Sequence, residues 1–260
     1  STAAWHGARV PSYAEQGKLV ASDAQNYDAF GWSAAISANG NTVVIGAYTE
    51  DDQAYDNGAA YVFKRSGSTW SQFQKLTASS QGYAERFGYS VSMSDSGDVI
   101  AVGAINNSTS PNYENGAVYI FAMGSSTYSQ QQKLTPSGSL YYSHMGFSVS
   151  MSPNGAVVAA GAPEFDRTEG SYLQDSGAVF VFAKENGSWS QKQKVENIAS
   201  SDSYVRFGDG VALSGNTLTV TAPQTNSGQG AAYVYELAVN GAPKGLIKTN
   251  SLGQLDKSFL

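Results

Sequence analysis

The 260-residue chain contains no cysteine, and that absence removes disulfides, thiolate metal sites and cysteine nucleophiles together. Histidine is almost as scarce, with only His6 and His144 present. No Gly-x-Ser-x-Gly elbow, His-Glu-x-x-His pair, phosphate-cradling loop or dinucleotide fingerprint occurs, so the commonest catalytic constellations lack their residues. No apolar run approaches the roughly 18 residues that span a bilayer. The opening STAAWHGARV lacks the charged-then-apolar pattern of a signal peptide, which leaves a cytoplasmic chain or one whose signal has been removed. Basic residues are outnumbered 15 to 21 by acidic ones, and the net charge of −6 is the wrong sign for a nucleic-acid partner. Cations, sugars and proteins remain.

What is abundant is glycine, with 28 residues, and tyrosine, with 16. Both recur in register. FGWSAAISANGNTVVIGA from Phe30, FGYSVSMSDSGDVIAVGA from Phe87, MGFSVSMSPNGAVVAAGA from Met145 and FGDGVALSGNTLTVTA from Phe207 are copies of one hairpin, starting 57, 58 and 62 residues apart. After each comes a variable polar loop and a third apolar segment: GAAYVF at Gly58, GAVYIF at Gly116, GAVFVF at Gly177 and GAAYVY at Gly230. A fourth segment follows the first three copies, WSQFQKL from Trp70, YSQQQKL from Tyr128 and WSQKQKV from Trp189. Period-2 alternation with β-branched and aromatic residues makes all of these strands, and no segment has a helical period. Four antiparallel strands per repeat are the unit of a β-propeller blade.

The ends extend the pattern. YAEQGKLVASDAQNYDAF, ending at Phe30, aligns without gaps with WSQFQKLTASSQGYAERF, ending at Phe87, so the outer strand of an earlier blade is expected before the first full repeat. GLIKTNS after Gly245 reads as a fourth strand for the last one. The expectation is a single all-β domain over residues 1–260, with four repeats and a half-blade. It would make four or five blades if closed, or it is part of a larger repeat chain or completes its ring in a homo-oligomer.

The order Phe-Gly, turn, Gly-Ala-(Pro), then Gly-Ala-x-Tyr/Phe-Val-Phe resembles the FG-GAP repeat of the integrin α-subunit propeller and of many secreted proteins. Phe30-Gly31, Phe87-Gly88 and Phe207-Gly208 match its first half, and Gly46-Ala47, Gly103-Ala104 and Gly161-Ala162-Pro163 its second. Met145 replaces Phe in the third copy, and Thr221-Ala222-Pro223 loses the Gly in the fourth, where different packing is expected. The resemblance implies an extracellular or cell-surface location and a role in adhesion, ligand binding or structure. The triplets Asn106-Asn107-Ser108, Asn107-Ser108-Thr109 and Asn186-Gly187-Ser188 would accept glycans in a secreted eukaryotic protein. Calcium-binding members of the family carry an acidic Asp-x-Asp-x-Asp-Gly loop between the two motif halves, because a hard cation needs several converging oxygens. Here that place holds SANGNT, SDSGDV, SPNGAV and SGNT, which read as tight turns with Gly or Asn at positive φ.

Blade geometry places every long, variable loop on one face, together with the connections between blades, and binding residues concentrate on such loops. Tyr55, Tyr113 and Tyr172 lie in the long loops, while Tyr27, Tyr83, Tyr141, Tyr142 and Tyr204 precede the Phe-Gly or Met-Gly starts. Aromatic faces beside carboxylates suit a sugar, although a residue repeated in every blade also suits interblade packing. His144, where sister repeats have Ala or Arg, is either a contact residue or an exposed loop histidine. Glu50, Asp51, Asp52 and Asp56, or Glu164, Asp166, Glu169 and Asp175, could hold calcium, or simply keep a loop solvated. Asp56, Glu114 and Asp175 each stand two residues before the Gly of the third strand, where a side-chain to backbone bond would stabilise the turn. The favoured expectation is a non-catalytic module that binds carbohydrate or protein through Tyr55, Tyr113, Tyr172, Tyr142 and His144. Calcium at Asp51, Asp52 and Asp56 is a possible adjunct. A structural assembly subunit is the first alternative, and a glycoside-active enzyme using a pair such as Asp52 and Glu164 is the second.

Overall fold

A computed structural model describes residues 14–51, 55–79, 84–107, 114–137, 142–168, 172–197 and 202–236. They form four antiparallel sheets whose strands follow chain order from one edge to the other. Blade 1 consists of β1 (Ser33–Ile36), β2 (Thr42–Ala47), β3 (Ala59–Ser66) and β4 (Thr69–Leu76). Blade 2 consists of β5 (Phe87–Met93), β6 (Val99–Ala104), β7 (Ala117–Met123) and β8 (Tyr128–Leu134), and blade 3 of β9 (Ser148–Met151), β10 (Val157–Ala162), β11 (Ala178–Glu185) and β12 (Ser188–Glu196). Blade 4 shows β13 (Gly210–Ser214), β14 (Thr217–Ala222) and β15 (Ala231–Glu236), with one helical turn, α1 (Thr225–Gly228), between the last two. The proposed fourth strand at 245–251 lies outside the described residues.

Position in the blade explains the sequence patterns. The third strands β3, β7 and β11 open with five consecutive buried residues, because a neighbouring blade or chain segment covers each face of the sheet. The outer strand β4 alternates exposed and half-buried residues, as a strand with one wet face should. The Phe of each Phe-Gly stands edge-on to the aromatic pair of its own third strand: Phe87 to Tyr119 and Phe121 at 5.4 and 5.9 Å, and Phe207 to Tyr233 and Tyr235 at 5.4 and 6.3 Å. Met145 is as fully buried in blade 3 as Phe87 is in blade 2, so the replacement fills the same seat.

The first hairpin turns are held by serine. Ser37, Ser94 and Ser152 accept the N–H of Thr42, Val99 and Val157 at 3.0, 3.1 and 2.9 Å, and Gly40, Gly97 and Gly155 adopt φ of 67°, 78° and 68°. These are tight turns as expected, with the side-chain oxygens committed to the backbone.

Successive blades pack through their inner strands, β5 on β1 and β2, β9 on β5 and β6, and β13 on β9 and β10. The apolar core is accordingly divided into layers, one between each pair of blades. Gln74 and Gln132 in the outer strands clamp the next blade, each exchanging two hydrogen bonds with the backbone of Tyr128 and Trp189 respectively. Among the described residues no comparable packing joins β13 to β1. Behind blade 1, Leu19 and Ala21 pack where Leu76 and Ala78 pack against blade 2, and Ser22 bonds Gln72 as Ser79 bonds Gln130. The half-blade segment therefore occupies its expected place, though residues 14–21 form no strand.

Candidate functional site

The loop face is organised by the residue immediately before each Phe-Gly or Met-Gly. Ala29, Arg86, His144 and Arg206 all take the left-handed conformation, with φ of 53°, 56°, 51° and 55°. Side chains adopt it reluctantly, so something must hold it. The N–H groups of Arg86, His144 and Arg206 donate to the carbonyls of Asp56, Glu114 and Asp175 in the preceding blade. The recurring role of those acidic positions is therefore carried by the main chain, which corrects the expected side-chain to backbone bond. Asp56 and Asp175 are themselves left-handed, at φ 48° and 47°, a conformation that Asp tolerates better than most residues.

Three successive cations are thus presented along one face. His144 Nδ1 lies 2.6 Å from Glu164 and its Nε2 3.0 Å from Glu114, both carboxylate oxygens. Two acceptors on one ring require both nitrogens to donate, which is the imidazolium. Burial alone would push the ring's pKa down, but its hydrogen bonds to Glu164 and Glu114, with their charges, carry it above the ordinary 6.5. Arg206 takes the other oxygen of Glu164 at 2.9 Å and Asp209 at 3.0 Å. The hydrogen bond from His144, against an opposing effect of burial and with help from Arg206, holds the Glu164 carboxyl down at about 2. The result is a chain of alternating charge, Glu114, His144, Glu164, Arg206, Asp209. His144 is half-buried and bound on both sides, so the exposed-loop expectation for it is corrected.

The residues just after each Phe-Gly or Met-Gly form a second row. Trp32 contacts Tyr48 and Tyr89 at ring distances of 4.7 and 5.5 Å, and Tyr89 contacts Phe147 at 5.2 Å. Arg206 caps the row, its guanidinium 5.3 Å from the Phe147 ring. Between the cations and the aromatics lies a cavity of about 360 Å³, lined by Arg86, Tyr89, Ile105, Asn106, Glu114, His144, Phe147 and Glu164.

Of the tyrosines singled out in the sequence, Tyr55, Tyr142 and Tyr172 are exposed on the loop face and do not line this cavity. Tyr172 donates to Asp166 at 2.7 Å, a bond that pushes the phenol's pKa up, and Tyr142 is a left-handed loop residue at φ 51°. Tyr113, Tyr83, Tyr141, Asp52, Glu169 and His6 lie outside the described residues. In the acidic loop Asp51 is exposed, and Glu50 is buried against Lys75 at 2.8 Å, so that carboxylate serves the fold. Among the described residues no three acidic or histidine side chains gather as a metal site would require. Arg86, Glu114 and Arg206 reach the site without having been singled out as ligands, and Glu164, weighed in the sequence for calcium or as half of a glycosidase pair, enters it as the partner of His144 and Arg206. The signal for the two arginines lay inside the motif: the position before the constant Phe-Gly or Met-Gly runs Ala, Arg, His, Arg, and the one after it Trp, Tyr, Phe, Asp.

Four blade-like sheets packed in sequence, with a polar and aromatic cavity on the loop face, define a propeller-type repeat module. A model of the FG-GAP repeat matches residues 13–63, 70–121, 128–182 and 189–235, which is most of the chain. The protein belongs to the FG-GAP repeat family. Each matched unit starts at an outer strand, or at the segment that stands in for one, and ends with the third strand of the next blade. Comparison with curated proteins found no match. Among the described residues no helix is long and apolar enough to cross a membrane.

Proposed function

We propose that this protein is a non-catalytic binding module, outside the cell or on its surface, whose loop-face cavity takes a carbohydrate. The observation that carries this reading is the lining: Tyr89 and Phe147 offer ring surface for the apolar face of a sugar, while Arg86, Asn106, Glu114 and Glu164 offer donors and acceptors for its hydroxyls. The exposed Tyr55, Tyr142 and Tyr172 on the same face would widen the contact beyond one ring. A binding role is favoured over glycoside hydrolysis by charge. Hydrolysis needs one carboxyl kept protonated as general acid, and Glu164 is held strongly ionised by His144 and Arg206.

The test is a glycan screen read by thermal shift, since a ligand that binds only the folded state raises its melting temperature. Binding that disappears in Tyr89→Leu and Phe147→Leu, with the fold intact, is the expected result. No shift with any glycan class would sink the proposal.

A further inference from the structure

Arg86 and Arg206 occupy the same position in two copies of the interblade loop, separated by the one that carries His144. Both are left-handed, and both donate their N–H to an aspartate carbonyl, of Asp56 and Asp175, at 3.1 and 3.0 Å. Their side chains meet different surroundings. Around Arg206 stand two carboxylates, Glu164 from the Gly-Ala-Pro end of blade 3 and Asp209 from the start of blade 4. The residues at those two positions around Arg86 are Thr49 and Tyr89. Neither can neutralise a guanidinium. Among the described residues Arg86 has no ion pair, and its Nε is buried without a hydrogen-bond partner. Leaving a buried charged donor unsatisfied is costly, and a group so placed needs an explanation.

Arg86 lines the cavity with Tyr89, Asn106, His144 and Phe147. The carboxylates that share the lining are already engaged, Glu114 by His144 and Glu164 by both His144 and Arg206. We infer that the cavity receives an acidic sugar, its carboxylate paired with Arg86 in the place that Glu164 and Asp209 take at Arg206, and its ring against Tyr89 and Phe147. The inference rests on the carbohydrate reading above and specifies its ligand class. Arginine suits the task because its planar fork meets a carboxylate through two parallel bonds. A compact cavity of about 360 Å³ fits one or two rings better than an extended peptide, which needs a groove or a sheet edge.

Calorimetric titration of the full chain with a glucuronate-containing oligosaccharide and with its glucose counterpart of equal length tests the inference. The acidic sugar is expected to bind about tenfold tighter or better, and Arg86→Gln to erase the difference, with Arg86→Lys keeping part of it. Thr49→Glu supplies the missing counterpart of Glu164 and leaves Arg86 and the aromatic lining in place. It is expected to neutralise Arg86 from within the protein and so remove the acid preference even if Arg86→Gln fails to fold. Equal binding of both sugars, unchanged by Arg86→Gln or Thr49→Glu, would overturn the inference while leaving the carbohydrate reading intact. Failure of every sugar would overturn both together. Tighter binding of a glutamate-rich peptide than of the acidic sugar would overturn the assignment to sugars.

Discussion

The forward faces of blades 1, 2 and 3 differ from that of blade 4 at equivalent positions, and the difference shows what docks one blade on the next. A Cβ placed at Gly46, Gly103 or Gly161 would overlap the carbonyl oxygen of Gly88, Gly146 or Gly208 in the following blade. Ser33, Ser90 and Ser148 donate to those same carbonyls at 2.9, 2.6 and 2.9 Å. In blade 4 the serine has become Gly210 and the glycine Thr221. The exchange is self-consistent, since a Cβ at Gly210 would crowd the Thr221 hydroxyl at 2.8 Å. Around this pair, Val157, Ala159, Val179 and Val181 of blade 3 face blade 4, whereas Thr217, Thr219, Ala232 and Val234 stand at the corresponding positions of blade 4 itself. Val234 is 55% exposed. With a threonine where the carbonyl enters in the other blades and no hydroxyl ready to receive it, blade 4 does not repeat the docking geometry of the first three.

The strongest way to break this comparison is to move blade 4's residue onto blade 3. Gly161→Thr places side-chain atoms on the Gly208 carbonyl and on Ser148, so it should cost roughly 3 kcal/mol or more, toward the upper end of overpacking penalties. A thermal melt should show a large loss, and limited proteolysis should release the 202–236 region first. Adding Ser148→Gly, which copies Gly210, should restore part of the loss. An unchanged melting temperature in Gly161→Thr would mean that the glycine is incidental.

A smaller effect isolates the hydroxyl. Ser90→Ala leaves the Gly146 carbonyl without its 2.6 Å donor at the junction of blades 2 and 3, and about 1 kcal/mol of stability should go with it. Smaller still is Thr221→Gly in blade 4, where among the described residues no following carbonyl is docked. It should change stability by about 0.5 kcal/mol, the ordinary penalty of glycine in a strand. Denaturant midpoints for the two variants therefore separate a docking position from its undocked copy, and equal losses would erase the distinction.

The frame was legible in the sequence because its cause is local and repeated. Alternation made the strands, Phe-Gly and Gly-Ala marked where blades meet, and the loss of glycine at Thr221 was visible as a departure before its meaning was. The serines at 33, 90 and 148 were equally repeated, but nothing local reveals that their hydroxyls reach a carbonyl more than 50 residues away. The site was less legible for the same reason. Glu114, His144, Glu164 and Arg206 come from four separate loops, and only stacking of the blades brings them into one line. Tyr55, Tyr142 and Tyr172 stood out by residue type and loop position, which locate the face and not the cavity. The expected turn role of Asp56 and Asp175 was placed on the side chain, because a left-handed backbone and its carbonyl contact leave only a faint mark in sequence.

The smallest effect is electrostatic, and it separates the two later junctions from the first. Glu164 ties His144 to Arg206 across the junctions around blade 3, while among the described residues Arg86 at the first junction has no such partner. Glu164 has a folded pKa near 2 against an ordinary 4.5, so its contribution is present above about pH 4.5 and is lost as pH falls toward 2. His144 has a raised pKa, so its contribution is complete below 6.5 and is lost as pH rises through the raised value. Both are fully present between about pH 4.5 and 6.5. Glu114, Glu164, Arg206 and Arg86 are the charged groups around the imidazole, and partial exposure of Glu114 and Glu164 screens the gain. The melting-temperature difference between wild type and His144→Gln should therefore be greatest in that window and shrink on both sides. The same comparison on Arg86→Gln should be flat from pH 4.5 to 8, because among the described residues no carboxylate is paired with Arg86. A difference for His144→Gln that grows above pH 7 would reverse the assigned charge of His144 and with it the contrast between the junctions.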